Sequence, residues 1–173
     1  MRVMFYAPLK PPTHPVPSGD RRIARLLMRA IEAAGHRVEL ATRFRSRDGS
    51  GDSERQIKMA ALGKRVADRL IRQIKARSPE KRPQVWFTYH LYYKAPDYIG
   101  PAVCAEFGIP YVVAEASHAA KQADGPWAVG HRAAEAGIRA ADRIILLNSA
   151  DLEGLEEIVA DPSAIVRQTP FID

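Results

Sequence analysis

Cysteine is nearly absent: Cys104 is the only one among 173 residues. One thiol can form neither an internal disulfide nor a cysteine-rich metal centre, so packing must hold the fold and a reducing cytoplasm is the expected setting. Long hydrophobic runs are missing too. The runs that occur, five apolar residues at 3–7 and four at 144–147, fall far short of the ~20 that span a bilayer. Prolines interrupt the N-terminal residues before a signal-peptide core could form. The common nucleotide and hydrolase signatures are also lacking. Only Ser18-Gly19 stands where a G-x-G-x-x-G fingerprint would follow the first strand, and no G-x-x-x-x-G-K-[ST] loop, H-E-x-x-H helix or G-x-S-x-G elbow occurs. A nicotinamide enzyme is disfavoured. With no Asp-x-Asp pair either, neither a metal nor another cofactor is expected.

What remains is ordinary globular material. Apolar residues make up 46% and charged residues 27%, which argues against disorder, and the length suits one domain able to bury roughly 70% of its unfolded surface. The net charge of +6 is local. Residues 43–83 hold 13 Lys/Arg against five Asp/Glu, leaving −2 over the other 132. Such a block, without interleaved aromatics, does not fit a nucleic-acid binder.

Apolar periodicity orders the chain. Residues 2–7 form a short buried strand, followed by a Pro-rich loop. Ile23, Leu26, Leu27, Ala30, Ile31 and Ala34 then mark one helix face, which Gly35 ends, and 37–42 form a second strand. Further strands are read at 84–90, 110–117, 143–148 and 164–168, separated by helices near 97–107, 126–140 and 149–159. The alternation predicts a Rossmann-like, doubly wound α/β domain over 1–173 with a mainly parallel sheet of about six strands. The block at 43–83 adds a polar loop and an amphipathic helix at 54–77, with Met59, Leu62, Val66, Leu70 and Ile74 expected on the core. Its basic side reads either as a solvated face or as a docking face for anionic lipid or a polyanionic acceptor.

Ligands of such sheets collect at the carboxyl ends of the strands. That rule selects Ser18-Gly19 after the first strand, Tyr89 and His90 at the end of the third, and Glu115, Ser117 and His118 at the end of the fourth. Gly19 at a helix start can admit a phosphate, although Ser18 can equally serve as a plain helix cap. His118 suits proton transfer or a sugar hydroxyl, especially if it clusters with His90 and Glu115. Tyr92 and Tyr93 read equally well as ligand contacts or as core. His14, His36 and His131 are expected to be structural or solvated.

Five segments, in order, resemble one family. Ala33-Ala34-Gly35-His36-Arg37-Val38-Glu39-Leu40 after a Pro-rich loop and Ser-Gly step, the strand from Pro83 to His90, Phe107-Gly108-Ile109-Pro110-Tyr111-Val112-Val113, Ser117-His118, and Ala141-Asp142-Arg143-Ile144-Ile145 with Asn148-Ser149 are similar to the N-terminal domain of GT-B glycosyltransferases, family 4. The resemblance implies one half of a GT-B fold and a metal-independent hexosyl-type transfer from a nucleotide-sugar donor to an acceptor hydroxyl. It matches Ser18 and Gly19 to the donor phosphates and His118, the expected catalytic group, and His90 to strand-end histidines; with the strand-end rule, Tyr89, His90, Glu115 and Ser117 are expected to bind a sugar, lipid or polysaccharide acceptor. Gly19 stands alone where many members have two glycines. No two glutamates have seven residues between them, the spacing of the family's donor domain. That half is therefore expected to be absent, with 169–173 as the crossing point, and this half to be inactive alone, whether as a fragment or as a natural half that needs a partner. The expected location is cytoplasmic, with peripheral contact at the inner face of the membrane through the basic helix. The alternative is a non-catalytic sugar- or partner-binding module.

Overall fold

Six short apolar stretches become strands: β1 Arg2–Tyr6, β2 Arg37–Leu40, β3 Val85–Leu91, β4 Tyr111–Ala116, β5 Arg143–Leu146 and β6 Ile165–Arg167. The computed structural model, which describes residues 1–169, joins them in one sheet in the order β2-β1-β3-β4-β5-β6, all neighbours parallel. The α-helices lie between them: α1 Gly19–Ala33, α2 Ser53–Lys75, α3 Gly100–Phe107, α4 Ala128–Arg139 and α5 Leu152–Glu156. This is the expected Rossmann-like α/β architecture. Beyond Thr169, the crossing point expected at 169–173 lies outside the described residues.

Strand alternation divides the core. Met4, Tyr6, Trp86, Tyr111, Val113 and Ile144 pack on one face against Leu70 and Ile74 of α2, Val103 of α3, Ile138 of α4 and Leu155 of α5. Val3, Phe5, Phe87 and Ala114 point to the other face, where Ala24 and Leu27 of α1 cover them. Phe5 and Phe87 stack there with ring centroids 5.6 Å apart. The chain runs outward from β1 to β2 and then returns across β1 to β3. The strand order therefore reverses between β1 and β3, the position at which open parallel sheets form their ligand crevice.

Three elements differ from the sequence expectation. Helix α2 buries Gln56, Gly63, Ala67, Leu70 and Ile74, while Leu62 is 39% exposed and Met59 only half-buried. The cause is close packing at Gly63, where a Cβ would lie 2.5 Å from Tyr98 Cβ. The small residues Gly63 and Ala67 thus turn the helix away from its largest apolar line. Leu62 instead falls in an exposed stripe with Lys58, Arg65, Arg69 and Arg72.

Helix α3 begins at Gly100 and not near 97, because the Asp97 carboxylate accepts the backbone N–H groups of Ile99 and Gly100, both at 2.8 Å. The segment 149–159 splits into a tight 3₁₀ turn, Ser149–Asp151, and the single-turn α5. Its Gly154 lies against the His118 carbonyl, where a Cβ would come within 2.8 Å. No helix among the described residues is long and apolar enough to cross a membrane.

Candidate functional site

The site begins with a backbone irregularity. Tyr89 pairs with Ala114 and Leu91 with Ala116, so His90 and Glu115 face each other across adjacent strands. Both have left-handed backbone, φ 64° and 59°. For side-chain-bearing residues such conformations cost about 1–3 kcal/mol each and persist only where surrounding structure enforces them. Here they turn both side chains toward the start of α1. His90 Nδ1 is buried and lies 3.2 Å from Asp20 Oδ1 and 3.9 Å from Glu115 Oε1, completing a hydrogen bond to neither. Tyr89 supports the group from below. Burial first, then the Glu115 carboxylate and a hydrogen bond to it, raise its phenol far above the ordinary tyrosine range, so the hydroxyl stays protonated as a donor.

Ser18 and Gly19 flank this cluster at the mouth of α1. Ser18 is the N-cap, its Oγ accepting the Arg21 N–H at 3.2 Å. A Cβ at Gly19 would meet nothing within 4 Å. Packing therefore does not demand glycine there, and the space beside the helix start is open.

The basic loop arches over the same edge. Ser46 N–H donates to the Pro8 carbonyl at 3.2 Å, Ser46 Oγ to the Pro96 carbonyl at 2.6 Å, and Asp48 N–H to the Lys94 carbonyl at 2.8 Å. These bonds tie residues 46–48 to the loops that follow β1 and β3. Asp48 holds its own turn together. Burial works to raise its pKa, but hydrogen bonds from Ser50, Gln56 and Gly51 outweigh burial and keep it below the ordinary value. Arg45 Nε donates to the Leu9 carbonyl at 3.1 Å. Arg47 hydrogen-bonds Tyr92, whose phenol burial otherwise pushes upward. Beyond them Tyr93 and Trp127 meet edge to face, and Lys94 Nζ sits 4.6 Å from the Trp127 ring centroid. The sequence offers no local sign that this loop returns to the strand ends, because its anchors are backbone carbonyls far along the chain.

The expected cluster of His90, Glu115 and His118 divides. His118 turns to the α4 side, where it meets His131 with ring centroids 5.1 Å apart and Glu135 at 3.7 Å. Ser117 remains beside the candidate site, its N–H bonded to the Leu91 carbonyl at 3.0 Å. His131, expected to be structural or solvated, is buried. Asp20, Arg47 and Glu135 were not singled out by sequence. Only the His131–Glu135 spacing of four on a helix offered a readable signal.

No protein-family model matches the chain, and no curated protein matches it by sequence. Among solved structures it is similar to Arabidopsis thaliana UGT89C1 complexed with UDP, with TM-score 0.54 and 12% identity over 99% of this chain. It spans about half of that protein, covering 49% of its length. At such identity the likeness is one of fold, a Rossmann-like α/β domain.

Proposed function

We propose that this chain is the acceptor-side half of a GT-B glycosyltransferase, in which a nucleotide-sugar donor is held mainly by a second domain and an acceptor hydroxyl is presented by this one. The observation that carries the reading is the paired left-handed backbone at His90 and Glu115, which gathers a histidine and two carboxylates at the switch point of the sheet. Structural likeness to a protein complexed with UDP supports the donor class. The ordered resemblance of five sequence segments supports family 4.

In this reading His90 removes the acceptor proton. Asp20 and Glu115 flank Nδ1, which leaves Nε2 for the hydroxyl, while the Tyr89 hydroxyl orients Glu115. Ser18 and Gly19 line the donor-phosphate side, where free backbone N–H groups at a helix start favour negative charge. Arg45 and Arg47 add positive charge on the loop. His118, with both ring nitrogens buried, positions the segment after β4 and does not touch the acceptor.

The test is amide chemical-shift mapping on the isotope-labelled chain with glucoside, galactoside and mannoside probes and with UDP. A hexoside is expected to shift Gly19, Asp20, His90, Glu115 and Ser117, with UDP producing weaker shifts near Gly19. No shifts from any probe at millimolar concentration, or shifts confined to another face, would overturn the reading. Sugar binding without transfer once a donor domain is supplied would favour the non-catalytic module.

The exposed stripe of Lys58, Leu62, Arg65, Arg69 and Arg72 supports peripheral contact with anionic lipid at the cytoplasmic face, with Leu62 and the 57%-exposed Ile57 as apolar contacts. Each basic residue near such a surface contributes about 1 kcal/mol. The chain should therefore co-sediment with phosphatidylserine vesicles and be released by raised salt. Equal recovery with neutral vesicles would remove this part of the proposal.

A further inference from the structure

The second histidine cluster has a chemistry of its own, independent of the glycosyltransferase reading. His118 and His131 have side chains only 6% and 4% exposed. Neither His118 ring nitrogen has a hydrogen-bond partner, and neither does His131 Nε2. His131 also bonds the Ala119 backbone, a contact that falls to Nδ1 because Nε2 has no partner. Leaving buried polar atoms unsatisfied is costly. In neutral rings one of these nitrogens on each imidazole is an unpartnered lone pair, and two such lone pairs side by side mark a place built for something that accepts them.

Glu135 completes the set. Its Oε1 is held by Arg139, at 2.9 Å from Nε and 2.8 Å from Nη2, and Arg139 is itself anchored to the Ile158 carbonyl at 2.9 Å. The other oxygen, Oε2, is thereby turned toward the rings, 3.7 Å from His118 Nε2 and 4.0 Å from His131 Nδ1. Those separations are too long for hydrogen bonds. The first of them, between Oε2 and His118 Nε2, is close to the spacing of ligands around one ion, since arms of about 2.05 Å in tetrahedral geometry place donor atoms about 3.3 Å apart; with Nδ1 given to Ala119, His131 would ligate through its unpartnered Nε2. One ligand atom from each of the three residues lies within 4.8 Å of the others, so side-chain adjustment of roughly an ångström or less would bring them to a shared metal.

The geometry points to a divalent zinc site formed by His118, His131 and Glu135, with a fourth position left for water. Two imidazoles and one carboxylate match the donor preference of zinc and not the all-oxygen preference of magnesium or calcium. Two further features are those of an outer shell: the Ala119 carbonyl would fix the His131 tautomer, and Arg139 would orient the carboxylate. Bound zinc would clip the irregular segment after β4 to α4. His131 and Glu135 already share one helix face, so only the His118 loop must be fastened.

The test is calorimetric titration of the chelator-treated, dialysed chain with zinc chloride, paralleled by cobalt titration read from visible absorption. The wild-type chain is expected to bind one zinc per chain at micromolar concentration or tighter, with cobalt giving the strong bands of a four-coordinate ion. His131→Ala and Glu135→Gln should each weaken binding by at least about 100-fold. His36→Ala, which removes a surface imidazole 3.3 Å from the N-terminal amine, should leave it unchanged. Because His131 is buried, the partly exposed Glu135→Gln carries the result if His131→Ala does not fold. No stoichiometric zinc binding, binding unaffected by Glu135→Gln, or binding lost in His36→Ala would each overturn the assignment.

Discussion

Replacing Asp97 by alanine is expected to lower the unfolding free energy by about 3–5 kcal/mol, the range seen when a buried hydrogen-bonded charge network loses its centre. Five donors converge on this one buried carboxylate. Oδ1 accepts the N–H groups that open α3, and Oδ2 accepts Thr88 Oγ1 at 2.6 Å, Tyr111 OH at 3.0 Å and Trp86 Nε1 at 3.3 Å. Asp97 thus joins β3, β4 and α3. Packing leaves no room for a substitute, since a Cβ on Gly100 would lie 2.4 Å from Oδ2 and 2.5 Å from Trp86 Nε1. Alanine would leave two backbone donors and two hydroxyls to find other partners inside the core, while the indole keeps its bond to Thr88 Oγ1 at 2.8 Å. Urea unfolding of wild type and Asp97→Ala measures the difference, and a loss below about 1 kcal/mol would show that the donors are satisfied elsewhere.

The same residue sets a pH dependence. Burial raises the Asp97 pKa, with the Thr88, Gly100, Ile99 and Tyr111 hydrogen bonds working against it. A carboxyl whose folded pKa is raised binds its proton more tightly in the native state than in the unfolded chain. Its contribution is therefore fully present below the unfolded value near 4 and declines as pH rises through the folded one. That decline should be missing from Asp97→Ala.

Asp97 also shows what a sequence conceals. The strand and helix alternation was legible because burial on two sheet faces imposes its own period: Val3 and Phe5 face one way, Met4 and Tyr6 the other. The strand ends were legible as one edge for the same topological reason, and Tyr89, His90, Glu115 and Ser117 do lie together there. Partnerships made between separate elements were not. Thr88 and Tyr111 give no local sign of sharing a carboxylate, and Asp20 gives none of approaching His90. The register of α2 was misjudged because apolar size is visible in sequence while the fit of Gly63 against Tyr98 is not. His118 was grouped with His90 and Glu115 by strand position. The chain turns its side chain to the opposite side of the sheet edge, toward residues that sequence left unassigned.

On the proposed reading, with a donor domain supplied, His90→Ala is expected to reduce kcat by about 10²–10⁴, the usual contribution of a positioned general base. Its fold should survive, because alanine fills no new space and the strand pairs on either side, Tyr89 with Ala114 and Leu91 with Ala116, do not depend on the imidazole. Asp20→Asn should reduce kcat less, since it leaves the base in place and removes only the nearer charge beside Nδ1. The two losses should not add, because Asp20 acts through His90: once the imidazole is gone, the second substitution has little left to remove. His118→Ala supplies the contrast. If His118 positions the loop after β4 and does not touch the acceptor, its loss should appear in stability and KM more than in kcat. A kcat collapse in His118→Ala with normal turnover in His90→Ala would return the catalytic role to His118 and reduce the left-handed pair at His90 and Glu115 to a strand-end bend.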